Sequence, residues 1–319
     1  MCLVEIPAQL AAELTAHLQD TKSVVKEFVY CLLIRGGDMA PTLYYLPPSP
    51  PCRSILLLAK LLDLELDLKV INILEGEQMK PEFVELNPQH CVPTMNDDGL
   101  VLWESRAILA YMAAAFGKDD SLYPKDIRIR ALVDQRLMFD LGTLYQRMAE
   151  YYFPTMFMGA PFDESKKAKL SEALGWFDAI LKGRNYAAAD QFTIADLTLL
   201  VTLSQIDAFG FDLLPYARIK QWYRRCKNYL EPYDYEDING SQALVLAQML
   251  RSKIEECSCL YAQDRNSTAA QTSSEVVLNA SMARHAKNGC YLIFIVGTKE
   301  EIVTFRFKIV QLRPHNVDA

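Results

Sequence analysis

Hydrophobic and polar positions between residues 42 and 117 change their period several times, as expected where short strands alternate with helices. Thr42–Leu46 is β-branched and aromatic and ends at two prolines, which predicts a strand. The following segment, RSILLLAKLLD, has helical spacing, and Pro51 suits the first turn of that helix. Leu66–Ile73 alternates well enough to predict a second strand.

Two short strands and a helix complete this part of the chain. The strands are predicted around Pro93–Met95 and Leu100–Leu102, on either side of the turn NDDG. A helix is predicted from about Ser105 to Phe116. A βαβ unit followed by a ββα unit is the thioredoxin-type order, so the pattern predicts an α/β domain over residues 40–120.

Apolar positions recur at helical spacing from residue 127 to about residue 254, after a linker with the sequence SLYPKD. The predicted fold class is therefore α/β plus all-α, a thioredoxin-like N-terminal domain followed by a helical-bundle C-terminal domain over residues 127–254. Thr193 and Asp196 precede an apolar run at the spacing of a capping box, which predicts a helix start there.

The two ends of the chain differ from the middle. Residues 1–39 hold one predicted amphipathic helix, Pro7–Gln19, then the breaker RGGD, and we expect them to form an extension outside the core fold. Residues 255–319 are rich in Ser, Thr, Asn and Ala, and we expect them to be largely disordered or weakly structured. Within them, YLIFIVG and EIVTFRFKIV predict a β-hairpin around residues 297–300.

Composition narrows the class of protein. The chain of 319 residues is 51% hydrophobic with a net charge of −7, which excludes collagen-like and mostly disordered classes and argues against general nucleic-acid binding. Its longest apolar runs, such as Phe28–Ile34, are too short to span a membrane. No CxxC or HExxH motif occurs, so we expect reduced thiols, no metal site and a cytoplasmic location.

The first candidate site follows the first strand. Ser49 lies at the start of a helix, where backbone N–H groups and the helix dipole favour an anion or a thiolate, and its hydroxyl can donate to such a group. The alternative is an ordinary N-cap serine. Cys52 completes a thioredoxin-like motif that lacks the first cysteine, and the alternative there is a thiol packed under the helix.

A second candidate is the loop NPQHCVP, in which a cis bond before Pro93 would present the backbone of Val92 to an extended peptide. Its alternative is a plain turn with a solvated His90.

The third candidate opens the next helix. Glu104 can hold an ammonium group, and Ser105 and Arg106 can hold a carboxylate; the alternative is a capped surface helix. Because all three candidates adjoin elements of one small α/β unit, together they predict a site for a short anionic peptide with a central thiol.

Residues 40–250 resemble a cytosolic glutathione S-transferase, most closely of the insect-type delta class, with the epsilon class as a near relative. The resemblance lies in the stretches LYYLPPSPPCRS, GEQMKPEFVELNPQHCVPT, LWESRAI, DSLYPKD, FDLGTLYQRMAEYYFP and FTIADLTLL. It implies a transferase that conjugates the glutathione thiolate to hydrophobic electrophiles for detoxification. It also implies a homodimer that uses glutathione as a co-substrate without a further cofactor.

The resemblance implies a role for each matching residue. Ser49 corresponds to the serine that donates a hydrogen bond to the thiolate, and Asp140 to an acidic residue that supports glutathione binding, with support across the dimer as one option. The glutathione contacts correspond to Gln89, His90, Val92, Pro93, Glu104, Ser105 and Arg106. The second-substrate pocket corresponds to Leu46, Pro50, Pro51, Tyr145, Phe153, Met156 and Phe157, for which helical core or dimer contact is the alternative.

Two departures from the delta pattern bear on binding. Gln78 replaces a histidine, so we expect weaker binding of the glycyl carboxylate, and Pro50 removes one N–H donor beside Ser49. Two alternatives to conjugation stay open, and the terminal extensions with the proline-rich Ser49 loop suggest the first of them. One is a non-catalytic binding or scaffold protein of the same fold, and the other is a glutathione-dependent peroxidase or isomerase.

Overall fold

A computed structural model of the chain describes residues 40–271, 291–298 and 301–308, with side chains described from residue 40 to residue 257. The predicted helix Pro7–Gln19 lies outside these residues. The chain divides into two compact units, of which the first comprises Met1–Phe153 with Phe162–Gln248 and the second comprises Pro154–Pro161 with Met249–Ala319.

The first unit contains a four-stranded mixed sheet in the order β2-β1-β3-β4. Its strands are β1 (Thr42–Tyr45), β2 (Asp67–Val70), β3 (Thr94–Asp97) and β4 (Leu100–Trp103). β1 runs parallel to β2, while β3 is antiparallel to both β1 and β4. This sheet and the helices around it confirm the predicted thioredoxin-like domain.

Strand register brings three chain segments to one edge of the sheet. Tyr44 near the end of β1 pairs with Thr94 at the start of β3, and Thr94 pairs with Trp103 at the end of β4. The loop after β1, the loop before β3 and the turn after β4 therefore meet at this edge. These segments carry the three candidate sites.

Three helices belong to the sheet domain: α1 (Pro50–Leu62), α2 (Pro81–Leu86) and α3 (Ser105–Phe116). α1 buries Ile55, Leu57 and Leu58 completely, because its apolar residues recur at helical spacing. It starts one residue earlier than predicted, with prolines at its first two positions. It ends at Asp63, whose left-handed backbone lets its N–H donate to the last-turn carbonyls.

The predicted linker is irregular, and helices follow it. Their bounds are α4 (Ile127–Phe139), α5 (Gln146–Met158), α6 (Glu164–Ile180), α7 (Ile194–Ala208), α8 (Ala217–Leu230) and α9 (Ser241–Gln271), with a π-helical turn at Asp140–Tyr145. The predicted capping box is present at the start of α7, a helix that is buried along most of its length. Within the described residues, no helix combines the length and apolar character needed to cross a bilayer.

The C-terminal segment contains more regular structure than its composition suggests. α9 continues past residue 255 to Gln271. Beyond it, β5 (Tyr291–Thr298) and β6 (Glu301–Lys308) pair antiparallel, which confirms the predicted hairpin. The predicted domain limits stay predictions.

Candidate functional site

Ser49 occupies the N-cap position of α1, but its hydroxyl caps no backbone N–H of the helix. The reason is local, since a capping side chain usually accepts from the N–H of the second or third helical residue. Pro51 stands at the second position and has no N–H to give, which leaves only the N–H of Cys52 at the third position, and the hydroxyl does not accept from it. The alternative reading of Ser49 as an ordinary capping residue is therefore not what the structure shows.

Cys52 is fully buried beneath the first turn of α1. Burial raises the pKa of its thiol to about 11, while hydrogen bonds from the Ser49 hydroxyl and from the Leu46 backbone lower it by less. Cys52 is therefore a neutral thiol at physiological pH, as the packed alternative expected.

The loop before β3 is held by Asn87, which is itself fully buried. Its side-chain nitrogen donates to the Thr94 hydroxyl at 2.8 Å, and its side-chain oxygen accepts from the Gln89 N–H at 2.9 Å. Its backbone carbonyl accepts from the N–H of His90 at 2.8 Å. Asn87 thus fixes the two exposed residues that were predicted to contact a ligand.

The Val92–Pro93 bond is cis, as predicted. Pro93 is buried, and the paired part of β3 begins one residue later, at Thr94. Val92 therefore lies just ahead of the ladder between β1 and β3, at the edge where the three segments meet. His90 has a left-handed backbone with φ of 41° and an exposed side chain, which agrees with a turn that projects the imidazole outward.

The turn after β4 has a strained residue at its centre. Glu104 has φ of 66°, and its exposed side chain stands at the N-cap of α3. Non-glycine residues in this backbone region cluster at ligand-binding sites because the surrounding structure must hold them there. Ser105 follows as the first residue of α3 and is almost completely buried.

Arg106 points into the protein and not toward solvent. Its guanidinium donates through Nε at 3.1 Å and through Nη2 at 2.5 Å to one carboxylate oxygen of Asp140. Its Nη1 donates to the Ser105 hydroxyl at 2.9 Å. Arg106 thus makes an internal ion pair, and its predicted pairing with a ligand carboxylate stays a prediction. In this structure Arg106 positions Ser105.

Asp140 completes this network within the same chain. Its Oδ2 accepts from Arg106 and also from the Thr198 hydroxyl at 2.6 Å, while Oδ1 has no partner among the described residues. Asp140 is the first residue of the π-helical turn, a rare element that is frequent at functional sites. The link between Asp140 and the turn after β4 does not require a second subunit.

Gln78 lies in a short 3₁₀ turn that follows Gly76, whose φ is 76°. The Gln78 side chain is half-buried, and its Oε1 is buried without a hydrogen-bond partner in the described part of the chain. An amide in this state has unused hydrogen-bonding capacity but no charge. The unpartnered atom is an acceptor, so the expectation of weaker glycyl carboxylate binding at Gln78 stays a prediction.

The positions predicted for a second substrate fall into both compact units. Leu46, Pro51, Tyr145 and Phe153 are half-buried in the first unit, where Pro50 is buried. The rings of Tyr145 and Phe153 meet edge to face with centroids 6.4 Å apart, and burial raises the pKa of Tyr145 to about 12. In the second unit, Met156 is buried and Phe157 is exposed. Their assignment to a pocket stays a prediction.

Sequence reasoning missed Arg53, which is completely buried on α1, one turn after Ser49. Its Nη1 donates to the backbone carbonyl and side-chain oxygen of Asn239, both at 2.8 Å, and its Nη2 donates to Gln205 at 2.6 Å. No carboxylate pairs with it among the described residues. Burial lowers the pKa of its guanidinium to about 10.

The chain shows clear similarity to known proteins. Models of the N-terminal and C-terminal domains of glutathione S-transferase match residues 48–115 and 145–225. Glutathione S-transferase D7 of Anopheles gambiae is 62% identical over 218 residues, which are 68% of this chain and 100% of that relative.

Solved structures agree with these matches. A glutathione transferase of Bombyx mori is 50% identical with a TM-score of 0.65, covering 66% of this chain and 98% of the other. A delta-class glutathione transferase of Nilaparvata lugens is 46% identical with a TM-score of 0.65, covering 67% and 99% respectively.

Proposed function

The chain belongs to the delta class of the glutathione S-transferase family, and on this premise we propose that Ser49 stabilises the thiolate of bound glutathione. The activity itself follows from the family, since the chain is an enzyme that conjugates glutathione. Neither the non-catalytic alternative nor the peroxidase or isomerase alternative is favoured by these relatives. Glutathione enters as a co-substrate, and we propose that no further cofactor takes part.

The observation that supports this role is that the Ser49 hydroxyl makes no capping hydrogen bond to the backbone of α1. Prolines at the first two positions of α1 supply no N–H groups, so the hydroxyl takes the place of the missing donors at this helix start. A hydroxyl that donates to a sulfur anion lowers the pKa of the thiol, and the α1 dipole adds to this effect. More thiolate is then present at neutral pH.

The remaining candidate residues suit the rest of the tripeptide. In the proposed binding mode, Gln89, His90 and Gln78 hold the glycyl end, and the Val92 backbone pairs with the cysteinyl unit as a strand would. Glu104 takes the ammonium group and Ser105 takes the carboxylate of the γ-glutamyl end. Arg106 and Asp140 support this end indirectly: Asp140 holds Arg106, and Arg106 holds the Ser105 hydroxyl in place.

In the proposed reaction, the thiolate attacks an electrophilic carbon that the enzyme holds nearby. A new carbon–sulfur bond forms, and either a halide leaves with the bonding electrons or the electrons move into an activated double bond. The thiol proton goes to solvent when the thiolate forms, and Ser49 keeps its own proton throughout. The apolar and aromatic side chains around Tyr145 and Phe153 support a hydrophobic second substrate.

We propose that the chain acts as a homodimer in the cytoplasm. Large apolar side chains on the solvent side of α4 support an interface, since Ile127 is 81% exposed and Met138, three helical turns later, is 58% exposed. Light scattering of the full chain tests the dimer, and a monomer at micromolar concentration would contradict it.

The experiment for Ser49 compares two serine substitutions in the same helix. Ser49→Ala should lower kcat/KM for glutathione and chlorodinitrobenzene by roughly 100-fold or more, because the thiolate loses its donor. Ser54→Ala is the control, since Ser54 is buried one turn later and donates only to the Pro51 carbonyl at 2.7 Å. Equal activity of the two variants would contradict the role of Ser49 and leave the family reaction intact.

A further inference from the structure

A second cavity lies on the helical part of the first unit, among residues that the proposed reaction does not use. It has a volume of about 680 Å³ and is formed between α8 and the loop that follows α7. Cavities of roughly 300–1,000 Å³ are of the size that holds small organic ligands. None of the residues assigned above to glutathione or to the second substrate lines it.

One wall of the cavity is a row of cations on α8. Lys220, Arg224 and Lys227 line it, and their spacing of four and three residues places them on one helix face. Within the described chain, the side chains of Lys220 and Arg224 make no hydrogen bond, ion pair or ring contact, whereas Arg218 on the same helix pairs with Asp178 at 2.5 Å. Lys220 and Arg224 are therefore available to a ligand.

The third cation is held in place by two aromatic rings. The ammonium group of Lys227 lies 5.5 Å from the ring centroids of both Tyr223 and Tyr235. A neighbouring cavity of about 370 Å³ shares Arg224 with the first and adds Arg225, whose Nη1 donates to the Asn185 carbonyl at 2.8 Å. In a chain whose net charge is −7, this face concentrates positive charge at one place.

The opposite wall has a different chemistry. Leu213 and Leu214 come from the loop after α7 and give this wall an apolar surface, of which Leu214 is 75% exposed. Asp207, near the end of α7, adds a single carboxylate that accepts from the hydroxyl of Tyr223, another lining residue, and keeps further lone pairs for a ligand donor. A ligand that fits both walls has several negative charges at one end, an apolar or aromatic body, and a hydrogen-bond donor facing Asp207.

We propose that this cavity binds an organic polyphosphate of nucleotide size. The three cations exceed the one carboxylate of Asp207 by two charges, and a di- or triphosphate balances this excess better than a single carboxylate does. The guanidinium of Arg224 forks onto phosphate oxygens, and the two lysines act as point charges beside it. A ring packs against the leucines, and a ribose hydroxyl or exocyclic amine donates to Asp207.

Calorimetric titration of the full chain tests the proposal with ATP, AMP and tripolyphosphate at an ionic strength of about 0.15 M, where surface charges are screened beyond roughly 8 Å. Saturating S-hexylglutathione occupies the glutathione site throughout. We expect saturable binding of one ATP per chain, weaker binding of AMP, and weaker binding of tripolyphosphate because it lacks a ring. Failure to bind ATP under these conditions would overturn the proposal, and ATP binding seen only without S-hexylglutathione would place ATP in the glutathione site and overturn it as well.

Substitutions localise the ligand. Arg224→Gln and Lys220→Gln should each weaken ATP binding about tenfold, a free-energy change of about 1.4 kcal/mol. Arg218→Gln is the matched control and should change the affinity less than twofold, because Arg218 lies outside the cavity. Leu214→Ser should weaken ATP but not tripolyphosphate. An equal loss of ATP affinity in Arg218→Gln, or equal affinity for ATP and tripolyphosphate in the wild type, would show that ATP binds only to a charged surface. Either result would refute the proposal. Conjugation activity confirms that each variant is folded.

Discussion

Two buried arginines join the sheet domain to the helices, and they differ in the charge of their partners. Arg106 on α3 donates to the carboxylate of Asp140, so its positive charge is balanced inside the protein. Arg53 on α1 donates only to the neutral oxygens of Asn239 and Gln205. Both side chains are almost or completely removed from solvent.

The difference separates a contact at the candidate site from an architectural one. The Arg106 pair reaches the candidate site directly, because the same guanidinium holds the hydroxyl of Ser105. Arg53 instead ties α1 to residues far along the chain, and burial lowers the pKa of its guanidinium to about 10. Asp196 is likewise a buried charged group whose hydrogen-bond partners are all neutral, but its charge is negative. Burial therefore raises its pKa, to about 6.

Breaking the Arg106 pair should give the largest effect. Asp140→Ala leaves the Arg106 cation buried without its counter-ion, so we expect a loss of about 3–5 kcal/mol in the free energy of unfolding. The KM for glutathione should rise at the same time, because Ser105 loses its support. Urea unfolding and steady-state kinetics measure the two effects. Asp140→Asn keeps the shape but also removes the charge, so a similar loss in this variant assigns the effect to the counter-ion. A loss below about 1 kcal/mol in Asp140→Ala would refute the pair's importance.

Asp196 provides a test by pH. Its pKa is about 6 in the folded protein against a usual 3.8, so the folded state takes up a proton more readily than the unfolded state. Its contribution to stability is therefore full below pH 3.8 and is lost as pH rises to about 6, by about 3 kcal/mol in total. Asp196→Asn should lack this slope.

The measurement is the difference in unfolding free energy between wild type and Asp196→Asn from pH 4 to pH 7. Asn cannot accept all four hydrogen bonds that Asp196 accepts, so the variant also carries a constant loss. We expect the wild type to lose stability relative to the variant as the pH rises through this window. A constant difference would show that burial does not raise the pKa of Asp196.

Removing Arg53 should destabilise the fold without touching the site. Arg53→Met leaves the oxygens of Asn239 and Gln205 buried without their donor, at a loss of about 1–3 kcal/mol. The KM for glutathione should change less than about threefold, because no ligand contact depends on Arg53. Thermal unfolding and kinetics measure these effects. A rise in the KM for glutathione as large as that in Asp140→Ala would show that Arg53, like Arg106, affects glutathione binding, and would contradict the difference between the two arginines.

Cys52 should give the smallest effect, although it lies between Ser49 and Arg53 in the same turn of helix. Cys52→Ala should keep conjugation within about twofold, since a thiol with a pKa of about 11 is neutral and takes no part in the reaction. The same argument predicts slow alkylation of Cys52 at pH 8 relative to the half-exposed Cys91. Loss of activity in Cys52→Ala would transfer the proposed role from Ser49 to the cysteine.

The local sequence pattern predicted much of the fold, because strand alternation and helical spacing can each be recognised within a few consecutive residues. The helix Ser105–Phe116, the capping box before α7 and the cis bond before Pro93 are all present as predicted. The order of these elements was also sufficient to place the three candidate segments in one domain. Strand register then explains why they share an edge.

Long-range polar contacts are what the sequence could not supply. Arg53 meets Asn239 across 186 positions of the chain, and nothing in its neighbourhood marks it as buried. Arg106 was expected to pair with a ligand carboxylate because it follows Glu104 and Ser105 at a helix start, and its own turn does not predict the ion pair with Asp140. Only the resemblance linked Asp140 to this end of the site. Asn87 gave one usable signal, since an asparagine that opens a loop commonly bonds to the backbone two residues later.

The most direct test of the proposed role of Ser49 is the pKa of the glutathione thiol when it is bound to the enzyme. Ultraviolet absorbance of the thiolate, titrated against pH, measures it in wild type, Ser49→Ala and Ser54→Ala. We predict a pKa roughly two units below the ordinary thiol value near 8.5 in wild type and Ser54→Ala, and a return toward that value in Ser49→Ala. Identical titration curves in all three proteins would contradict the role of Ser49.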